Sequence, residues 1–512
     1  MKCWEKNKAM NKSKQSILTA ISAIILTLLN GIFALVITKM VIIKYGSDFN
    51  GLNSTASQFI SMLLIIEGGF TIATNVALFK PIASNNQQAI NKILSATRKI
   101  FNKIGVSFFL IGTSVSIVYA LIINSDLSPI ISFLVFFMTI ISTAFNLSYA
   151  TKYRILLQSE NKEYILNSIQ IATLIISQVL ILVTIFVNGH MLLVRLSTML
   201  GAIINSLLIA NISKKRYEYI NFKEEPDFDS ISGTKDIFIQ KITSMIYSTI
   251  PILFISGTVG TIYASVYVVY NNVFRLLKSV IYAFINAPRM GFGKLIAEKE
   301  PEYVLKIFLQ YEFIVNYVMF TLLSTTAVLI MPFINLYTAG ITDANYYNWI
   351  IALLLIGITF FEIIHIPSGN IINMAGKFKI GRKIQSLSSV FLIIIMIIGN
   401  MKMGFYGILL SVLVTAILLA FLEIIYIHSK YFVGAMPHFL KLLVPNLVVI
   451  IPVILLEIKY LPQIHSYVEF FIAGILLVTL NAVILIIINY FINRNIMLDV
   501  MMRFNTIIKN KV

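Results

Sequence analysis

The sequence predicts an all-α polytopic membrane protein with about 14 transmembrane helices. Three observations carry this prediction: the mean hydropathy, the recurrence of apolar runs, and the placement of lysine and arginine. Of the 512 residues, 58% are hydrophobic and 12% are charged, and the mean hydropathy is +0.87. These values differ strongly from those of an ordinary globular protein, so most of the chain is expected to lie in a bilayer.

Apolar runs long enough to span a bilayer recur from residue 16 almost to the end of the chain. A span needs about 20 mostly apolar residues to cross a hydrocarbon core of about 30 Å. The predicted spans are residues 16–38, 54–79, 104–123, 129–150, 165–187, 191–212, 237–257, 261–288, 304–331, 347–373, 384–401, 404–427, 439–457 and 468–490.

Lysine and arginine are distributed unequally between the predicted loops. With the N-terminus placed inside, 32 of the 40 Lys and Arg residues lie in loops and tails on that side, and 5 lie at the outside ends. Because cytoplasmic loops carry an excess of these residues, the protein is expected in the cell membrane with both termini on the cytoplasmic side. The net charge of +18 mostly reflects this bias, so no nucleic-acid partner is expected.

The chain lacks the motifs of common nucleotide-dependent and metal-dependent enzymes. It contains no GxxxxGK(S/T) phosphate loop and no HExxH motif, and Cys3 is its single cysteine. P-loop hydrolysis of ATP, a cysteine-based zinc site and an intramolecular disulfide are therefore excluded. The chain is not expected to be an enzyme, no catalytic residue, cofactor or metal site is predicted, and coupling to H⁺ or Na⁺ is left open.

Two loop segments repeat along the chain. KPIASNNQQAINKI (80–93) and KLIAEKEPEYVLKI (294–307) share five of 14 positions, after predicted spans 2 and 8. Both predicted halves begin and end on the inside, so the repeat indicates two parallel six-span lobes. The predicted organisation is an N-terminal lobe at 1–212, a cytoplasmic linker at 213–236, a C-terminal lobe at 237–430, and two further spans with a cytoplasmic tail at 431–512.

Span 8 carries a polar stripe through an otherwise apolar segment. Its members recur at i, i+4, i+7, i+11, i+15 and i+18, which keeps them on one face of a helix. A charged side chain at the bilayer midplane costs roughly 2.5 to 3.5 kcal/mol, so Arg275 and Lys278, near the centre of the span, are expected to face a wet cavity or partner charges. The stripe consists of Asn271, Arg275, Lys278, Tyr282, Asn286 and Arg289.

Two interpretations of these cations stay open. In the functional one, Arg275 and Lys278 hold an anionic group that crosses the membrane, and phosphate is the natural candidate. In the structural one, they form ion pairs with carboxylates of other spans, for which Glu67, Glu312 and Glu362 qualify. Residue types alone do not separate the two interpretations.

Other ionisable residues inside the predicted spans can also be interpreted as functional or as structural. Glu362 and His365 share a face of span 10 beside Pro367, which interrupts the helix. They are candidates for a proton relay, for binding a coupling cation, or for a structural polar cluster with span 8. Glu67 in span 2 is a candidate for ion coupling or for a counter-charge. Lys241 in span 7 is expected either to recruit an anion or to reach the headgroups.

Four stretches of the chain resemble one group of transporters. They are YGSDFNGLNSTASQFISMLLIIEGGF (45–70), ALFKPIASNNQQAINKILSATRKIF (77–101), FINAPRMGFGKLIAEKEPEYVLKIF (284–308) and NMAGKFKIG (373–381). With these stretches, residues 16–430 resemble the O-antigen-type polysaccharide flippases of the multidrug, oligosaccharidyl-lipid and polysaccharide (MOP) exporter superfamily.

The resemblance implies a fold like that of multidrug and toxin extrusion (MATE) transporters, with two six-helix lobes around a central cationic cavity. It implies a flippase that moves undecaprenyl-diphosphate-linked oligosaccharides from the inner to the outer leaflet by alternating access. Surface polysaccharide synthesis is the implied setting, with a polymerase and glycosyltransferases as partners. The candidate substrate-binding residues are Arg275, Lys278, Lys241, Asn271 and Tyr282, and the candidates for ion coupling or counter-charge are Glu67, Glu362 and His365.

Other functions compete with this one. A flippase for the peptidoglycan precursor lipid II shares the superfamily and the plan of fourteen spans. An integral-membrane polysaccharide polymerase or ligase is disfavoured, because such enzymes usually need a large outside loop and the longest predicted one here is about 332–347. A drug exporter of the same superfamily is also disfavoured, because it usually carries an acidic site for cationic drugs.

Overall fold

The computed structural model describes residues 12–231 and 235–509, and the regular structure of these residues is helical. The first eight α-helices are α1 (Lys12–Leu63), α2 (Ile65–Ala83), α3 (Gln87–Ile122), α4 (Pro129–Tyr149), α5 (Thr151–Ser159), α6 (Glu163–Phe186), α7 (Met191–Arg216) and α8 (Lys235–Thr258). They are followed by α9 (Thr261–Glu298), α10 (Pro301–Thr338), α11 (Trp349–Ile364), α12 (Ile366–Met374), α13 (Phe378–Ile425), a π-helix (Tyr426–Tyr431), α14 (Met436–Tyr460), α15 (Tyr467–Ile492) and α16 (Arg494–Lys509).

Ten helical segments of the described part are long and apolar enough to cross a membrane. Two of them, α1 and α13, each consist of two helices joined at a glycine with non-helical angles. Gly46 has φ 88° and ψ 163°, and Gly404 has φ 53° and ψ −129°. Positive φ is accessible to glycine and strained for most other residues, so each of these helices contains parts of two predicted spans. The predicted all-α polytopic fold class is confirmed.

The two limbs of α13 fold back on each other at Gly404. A Cβ atom on Gly407 would stand 1.9 Å from the carbonyl oxygen of Gly399, and Ser411 donates a hydrogen bond to the carbonyl oxygen of Ile395 at 2.8 Å. Small residues let two helix backbones approach closely. The stretch GNMKMGFYG (399–407) therefore builds a tight hairpin between two spans.

The chain divides into two compact units, which we call the N-terminal unit (Met1–Val269) and the C-terminal unit (Tyr270–Val512). The core of the N-terminal unit includes Phe136 of α4 and Leu156 of α5, and a core of the C-terminal unit includes Phe308 of α10 and Ile363 of α11. The lobe boundaries given by the sequence stay a prediction.

The segment after α7 folds back onto the N-terminal unit. Asn91 of α3 donates a hydrogen bond to the carbonyl oxygen of Tyr219 at 2.9 Å and accepts one from the backbone N–H of Asn221 at 3.1 Å. Ile231 is buried in the core of the same unit. The predicted linker is therefore anchored to this unit up to residue 231, and residues 232–234 lie outside the described part.

Candidate functional site

The polar stripe predicted for span 8 lies on α9. Arg275 is exposed, and no hydrogen bond or ion pair joins it to another residue of the described part. Lys278, one turn further on, donates a hydrogen bond to Glu362 at 2.9 Å. Asn271 is partly buried, and Tyr282 packs against the core of the C-terminal unit. Arg275 and Lys278 thus differ: Lys278 has a carboxylate partner, and Arg275 has none among the described residues. The side chains of Asn286 and Arg289 lie outside the described part.

Glu362 reaches Lys278 from the last turn of α11. Both side chains are 18% exposed, so the ion pair is largely shielded from water. The helix is interrupted at His365, which separates α11 from α12, and Pro367 follows in the first turn of α12. Proline is tolerated in the first turn of a helix because its missing N–H would be unsatisfied there in any case. Glu362 and His365 therefore lie where α11 ends, directly before the new helix begins.

His365 forms a second acid–base pair, with Glu423 of α13. The distance between Nδ1 of His365 and Oε2 of Glu423 is 2.8 Å, and Glu423 is buried. Glycine at position 369 leaves room for this carboxylate, because a Cβ there would stand 2.5 Å from Oε2 of Glu423. His365 was a sequence candidate, whereas Glu423 was not.

Glu312 and His428 form a third pair, which is buried in the C-terminal unit. Their side chains are 1% and 0% exposed, and Nε2 of His428 lies 3.0 Å from Oε2 of Glu312. The other ring nitrogen, Nδ1, lies 2.9 Å from the carbonyl oxygen of Ile424. A neutral imidazole has one N–H, and here both ring nitrogens face oxygens. The pair therefore holds one more proton, either on the imidazole or on the carboxyl group.

In the N-terminal unit, Glu67 of α2 pairs with Arg154 of α5. Glu67 was a sequence candidate, but Arg154 falls in a predicted loop and was missed. α5 follows α4 with only Ala150 between them. It therefore extends the chain directly from a predicted span and places Arg154 beside α2.

The Glu67 and Arg154 pair borders an open cavity of about 370 Å³. Most other polar groups that line it are neutral amides and hydroxyls from α1, α4, α6 and α7. Neutral amides and hydroxyls can donate and accept hydrogen bonds at once, which suits a ligand with hydroxyl groups. These neutral polar lining residues are Asn30, Ser142, Thr143, Asn146, Gln170, Thr173, Ser177 and Asn205.

A buried cation of the same unit also has neutral partners. Arg195 of α7 is buried, and its guanidinium donates hydrogen bonds to Thr139 at 2.7 Å and to Asn53 at 2.9 Å. No carboxylate pairs with it in the described part of the chain. Lys241 lies in α8, and its side chain is outside the described part.

No protein-family model and no curated protein sequence matches the chain. Solved structures match it well. The lipid II flippase MurJ in its inward closed conformation superposes with a TM-score of 0.70 at 16% identity, over 93% of this chain and 99% of that one. An inward-facing multidrug resistance MATE family transporter of the MOP superfamily gives a TM-score of 0.62 at 12% identity, over 80% and 94%. A MATE in the bent conformation gives 0.57 at 12% identity, over 87% and 98%.

The chain has the MATE-like fold. This confirms the fold that the sequence resemblance implied, while the roles of the candidate site residues stay predictions. Within this MATE-like fold, no group of three or more His, Cys, Asp or Glu side chains among the described residues could hold a metal ion.

Proposed function

We propose that this protein is a flippase that moves undecaprenyl-diphosphate-linked oligosaccharides from the inner to the outer leaflet by alternating access. In surface polysaccharide synthesis it would act after the glycosyltransferases that build the unit and before the polymerase that uses it. The observation that carries the proposal is Arg275, which is exposed and forms no ion pair or hydrogen bond with another described residue. It lies on a helix that the sequence predicts to be a span, in a chain with the MATE-like fold.

Arg275 suits a diphosphate for two reasons. Guanidinium stays charged at any working pH and presents a planar fork of donors that matches phosphate oxygens. An isolated cation inside a bilayer is expensive unless it faces water or a partner. Because Glu362 neutralises Lys278, Arg275 is the positive charge that remains for an anionic substrate among the described side chains of the stripe.

The cavity of the N-terminal unit supports a carbohydrate substrate independently. Its volume of about 370 Å³ falls within the range of about 300 to 1,000 Å³ that is usual for small-molecule sites. Sugar hydroxyl groups donate and accept hydrogen bonds, as the amides and hydroxyls of this cavity do. The glycan is therefore the part of the substrate that we assign to this cavity.

A lipid II flippase is the second candidate function. The similarity to MurJ, which extends over 93% of this chain with a TM-score of 0.70, favours it. Both candidate substrates carry a sugar on a lipid diphosphate, so Arg275 serves either one. The similarity to transporters favours both over an integral-membrane polymerase or ligase.

Ion coupling is part of the same proposal. The pair of His365 and Glu423 places an imidazole and a carboxylate 2.8 Å apart, and both groups can bind the proton that lies between them. This favours H⁺ over Na⁺ as the coupling ion. Glu362 and Glu67 already have cationic partners, which supports a counter-charge role for both.

The experiment is a flipping assay with purified protein in liposomes. Fluorescent undecaprenyl-diphosphate oligosaccharide and lipid II are tested separately, and a membrane-impermeant reagent reports the sugar that has reached the other leaflet. The substrate with the faster initial rate decides between the two candidate functions. If neither is flipped faster than in protein-free liposomes, the flippase proposal is wrong.

The matched variants in this assay are Arg275→Gln and Lys402→Gln. Each removes one positive charge, and Lys402 is an exposed residue of the α13 hairpin. Loss of a charge-assisted hydrogen bond to phosphate should lower the rate for Arg275→Gln by about tenfold or more, while Lys402→Gln keeps the wild-type rate. Equal rates in both variants would remove Arg275 from the proposal.

A further inference from the structure

A lysine ammonium group lies among three aromatic rings where α4 ends and α5 begins. Nζ of Lys152 is 5.6 Å from the ring centroid of Tyr149, 5.3 Å from that of Tyr153 and 5.8 Å from that of Phe222. The residue is only 7% exposed. Of its three donors, one makes a hydrogen bond, to the carbonyl oxygen of Ser148 at 2.9 Å.

Two exposed cations flank this lysine. The guanidinium carbon of Arg98 on α3 lies 5.3 Å from the ring centroid of Phe222. Nζ of Lys214 on α7 lies 5.3 Å from the ring centroid of Tyr149 and donates a hydrogen bond to its hydroxyl at 3.4 Å. We call Arg98, Tyr149, Lys152, Tyr153, Lys214 and Phe222 the Lys152 cluster.

The positive charge of the Lys152 cluster is not compensated by a carboxylate. None of its three cations forms an ion pair in the described part of the chain. The charged groups that act on Lys152 are Arg98 and Lys214, and together with burial, which is the larger cause, they lower the pKa of Lys152 to about 8. A buried charge is normally paired, so the buried Lys152, which has two further cations near it and no carboxylate partner among the described residues, leaves a place for an anion.

We propose that the Lys152 cluster binds a phosphate group. Arg98 offers a fork of donors, Lys152 and Lys214 offer ammonium donors, and the hydroxyl of Tyr149 adds another. The aromatic rings hold the cations in place by cation–π contact and leave N–H groups free for an anion. The phosphate belongs either to an anionic phospholipid headgroup or to free phosphate. The cluster contains no residue of the α9 stripe or of the N-terminal cavity, so this site does not depend on the proposed transport function.

Binding should be linked to protonation of Lys152. An anion nearby favours the charged ammonium and raises its pKa, so binding near pH 8 takes up protons, and affinity falls as the pH rises further. Phosphate is already mainly a dianion at that pH and contributes little proton release. The pKa of Tyr153 is raised by burial, so its phenol stays protonated and does not compete with Lys152 as the titrating group.

The first experiment measures binding of inorganic phosphate to the purified full-length protein by titration calorimetry. It is run near pH 8 in two buffers with different ionisation enthalpies, so that proton uptake is read directly. The variants are Lys152→Gln, Arg98→Gln and Lys214→Gln. The matched control is Lys99→Gln, which removes one charge from the exposed neighbour of Arg98 on α3.

We expect each of the three cluster variants to weaken phosphate binding by about tenfold, the equivalent of one charge-assisted hydrogen bond, and Lys99→Gln to leave it nearly unchanged. Proton uptake should disappear in Lys152→Gln. Arg98 and Lys214 are exposed, so their variants give the answer even if Lys152→Gln fails to fold. Equal weakening by Lys99→Gln, or proton uptake that persists in Lys152→Gln, overturns the site.

A second measurement identifies the source of the phosphate. Native mass spectrometry records whether the wild-type protein retains phosphatidylglycerol in preference to phosphatidylcholine, and whether Lys214→Gln loses that preference. A preference that inorganic phosphate abolishes indicates a lipid headgroup, and binding of inorganic phosphate without lipid preference indicates free phosphate. If wild-type protein binds neither inorganic phosphate at millimolar concentration nor phosphatidylglycerol, the proposal is wrong.

Discussion

The two units accommodate polar groups inside their helices in different ways. Among the described residues of the C-terminal unit, three acid–base pairs lie within the helices, while Glu457 is held by the neutral amide of Asn481. In the N-terminal unit one ion pair borders a cavity of neutral amides and hydroxyls, and even the buried Arg195 is held by neutral oxygens. The C-terminal pairs are Lys278 with Glu362, His365 with Glu423, and His428 with Glu312.

The difference is one of the binding capacity that each unit keeps for a ligand. Paired charges hold each other and leave little capacity for a ligand, so Arg275 stands out in the C-terminal unit because it has no partner in the described part. Neutral amides keep spare donors and acceptors, so the N-terminal cavity retains hydrogen-bonding capacity. Burial should also rank the cost of breaking each pair. Three variants test that ranking, and a fourth removes the charge of Arg275.

The largest effect is expected for His428→Leu. Both members of its pair are almost fully buried, and removal of one partner of such a pair destabilises a protein by about 3 to 5 kcal/mol, because a charge is left uncompensated. The free energy of unfolding in detergent measures the effect. The double variant Glu312→Leu with His428→Leu should recover most of the loss; no recovery would show that packing, and not charge, dominates at this position.

A smaller loss, of about 2 kcal/mol, is expected for Lys278→Met, because the pair with Glu362 is 18% exposed and partly screened. The exchanged variant, Lys278→Glu with Glu362→Lys, should be more stable than either single change, as measured by thermal unfolding. If the exchanged variant is less stable than both, the two side chains are not an ion pair in solution.

The pair in the N-terminal unit should contribute less. Arg154 is 30% exposed and Glu67 13%, so Glu67→Gln is expected to cost about 1 kcal/mol or less. Because exposed pairs are screened by salt, the difference from wild type should shrink at high ionic strength. A loss as large as that of His428→Leu would contradict the contrast between the two units.

The smallest effect on stability is expected for Arg275→Gln. Its side chain is exposed and forms no hydrogen bond or ion pair with another described residue, so the free energy of unfolding should change by no more than about 0.5 kcal/mol, while flipping falls as described above. Arg275→Lys, which keeps the charge but not the fork, should retain part of the activity. A large loss of stability would indicate a structural role for Arg275.

Periodicity in the sequence was enough to place the α9 stripe, because residues four and three apart share a helix face whatever surrounds them. The sequence also offered three carboxylates within predicted spans as counter-charges for the cations of the stripe, and Glu362 was one of them. It could not choose among them, since the choice depends on how α9 packs against α11. That packing joins residues 84 positions apart in the chain.

Other parts of the site have no sequence signal of this kind. Glu423 lies near the end of α13 and His428 lies in the π-helix that follows it. Residues five apart do not share a face of an α-helix, so helical periodicity does not group these two side chains. Arg154 follows the interruption at Ala150, where the helical period is lost. These residues become visible only when the helices are in place.

The hairpin at Gly404 has a consequence for topology. A continuous α13 of 48 residues would be about 72 Å long, more than twice the thickness of the hydrocarbon core of about 30 Å. With the reversal, the chain crosses the bilayer twice within that length, and without it only once. One residue that has no side chain thus decides whether the number of crossings is even or odd, and every positively charged loop after it would emerge on the opposite side if the turn were lost.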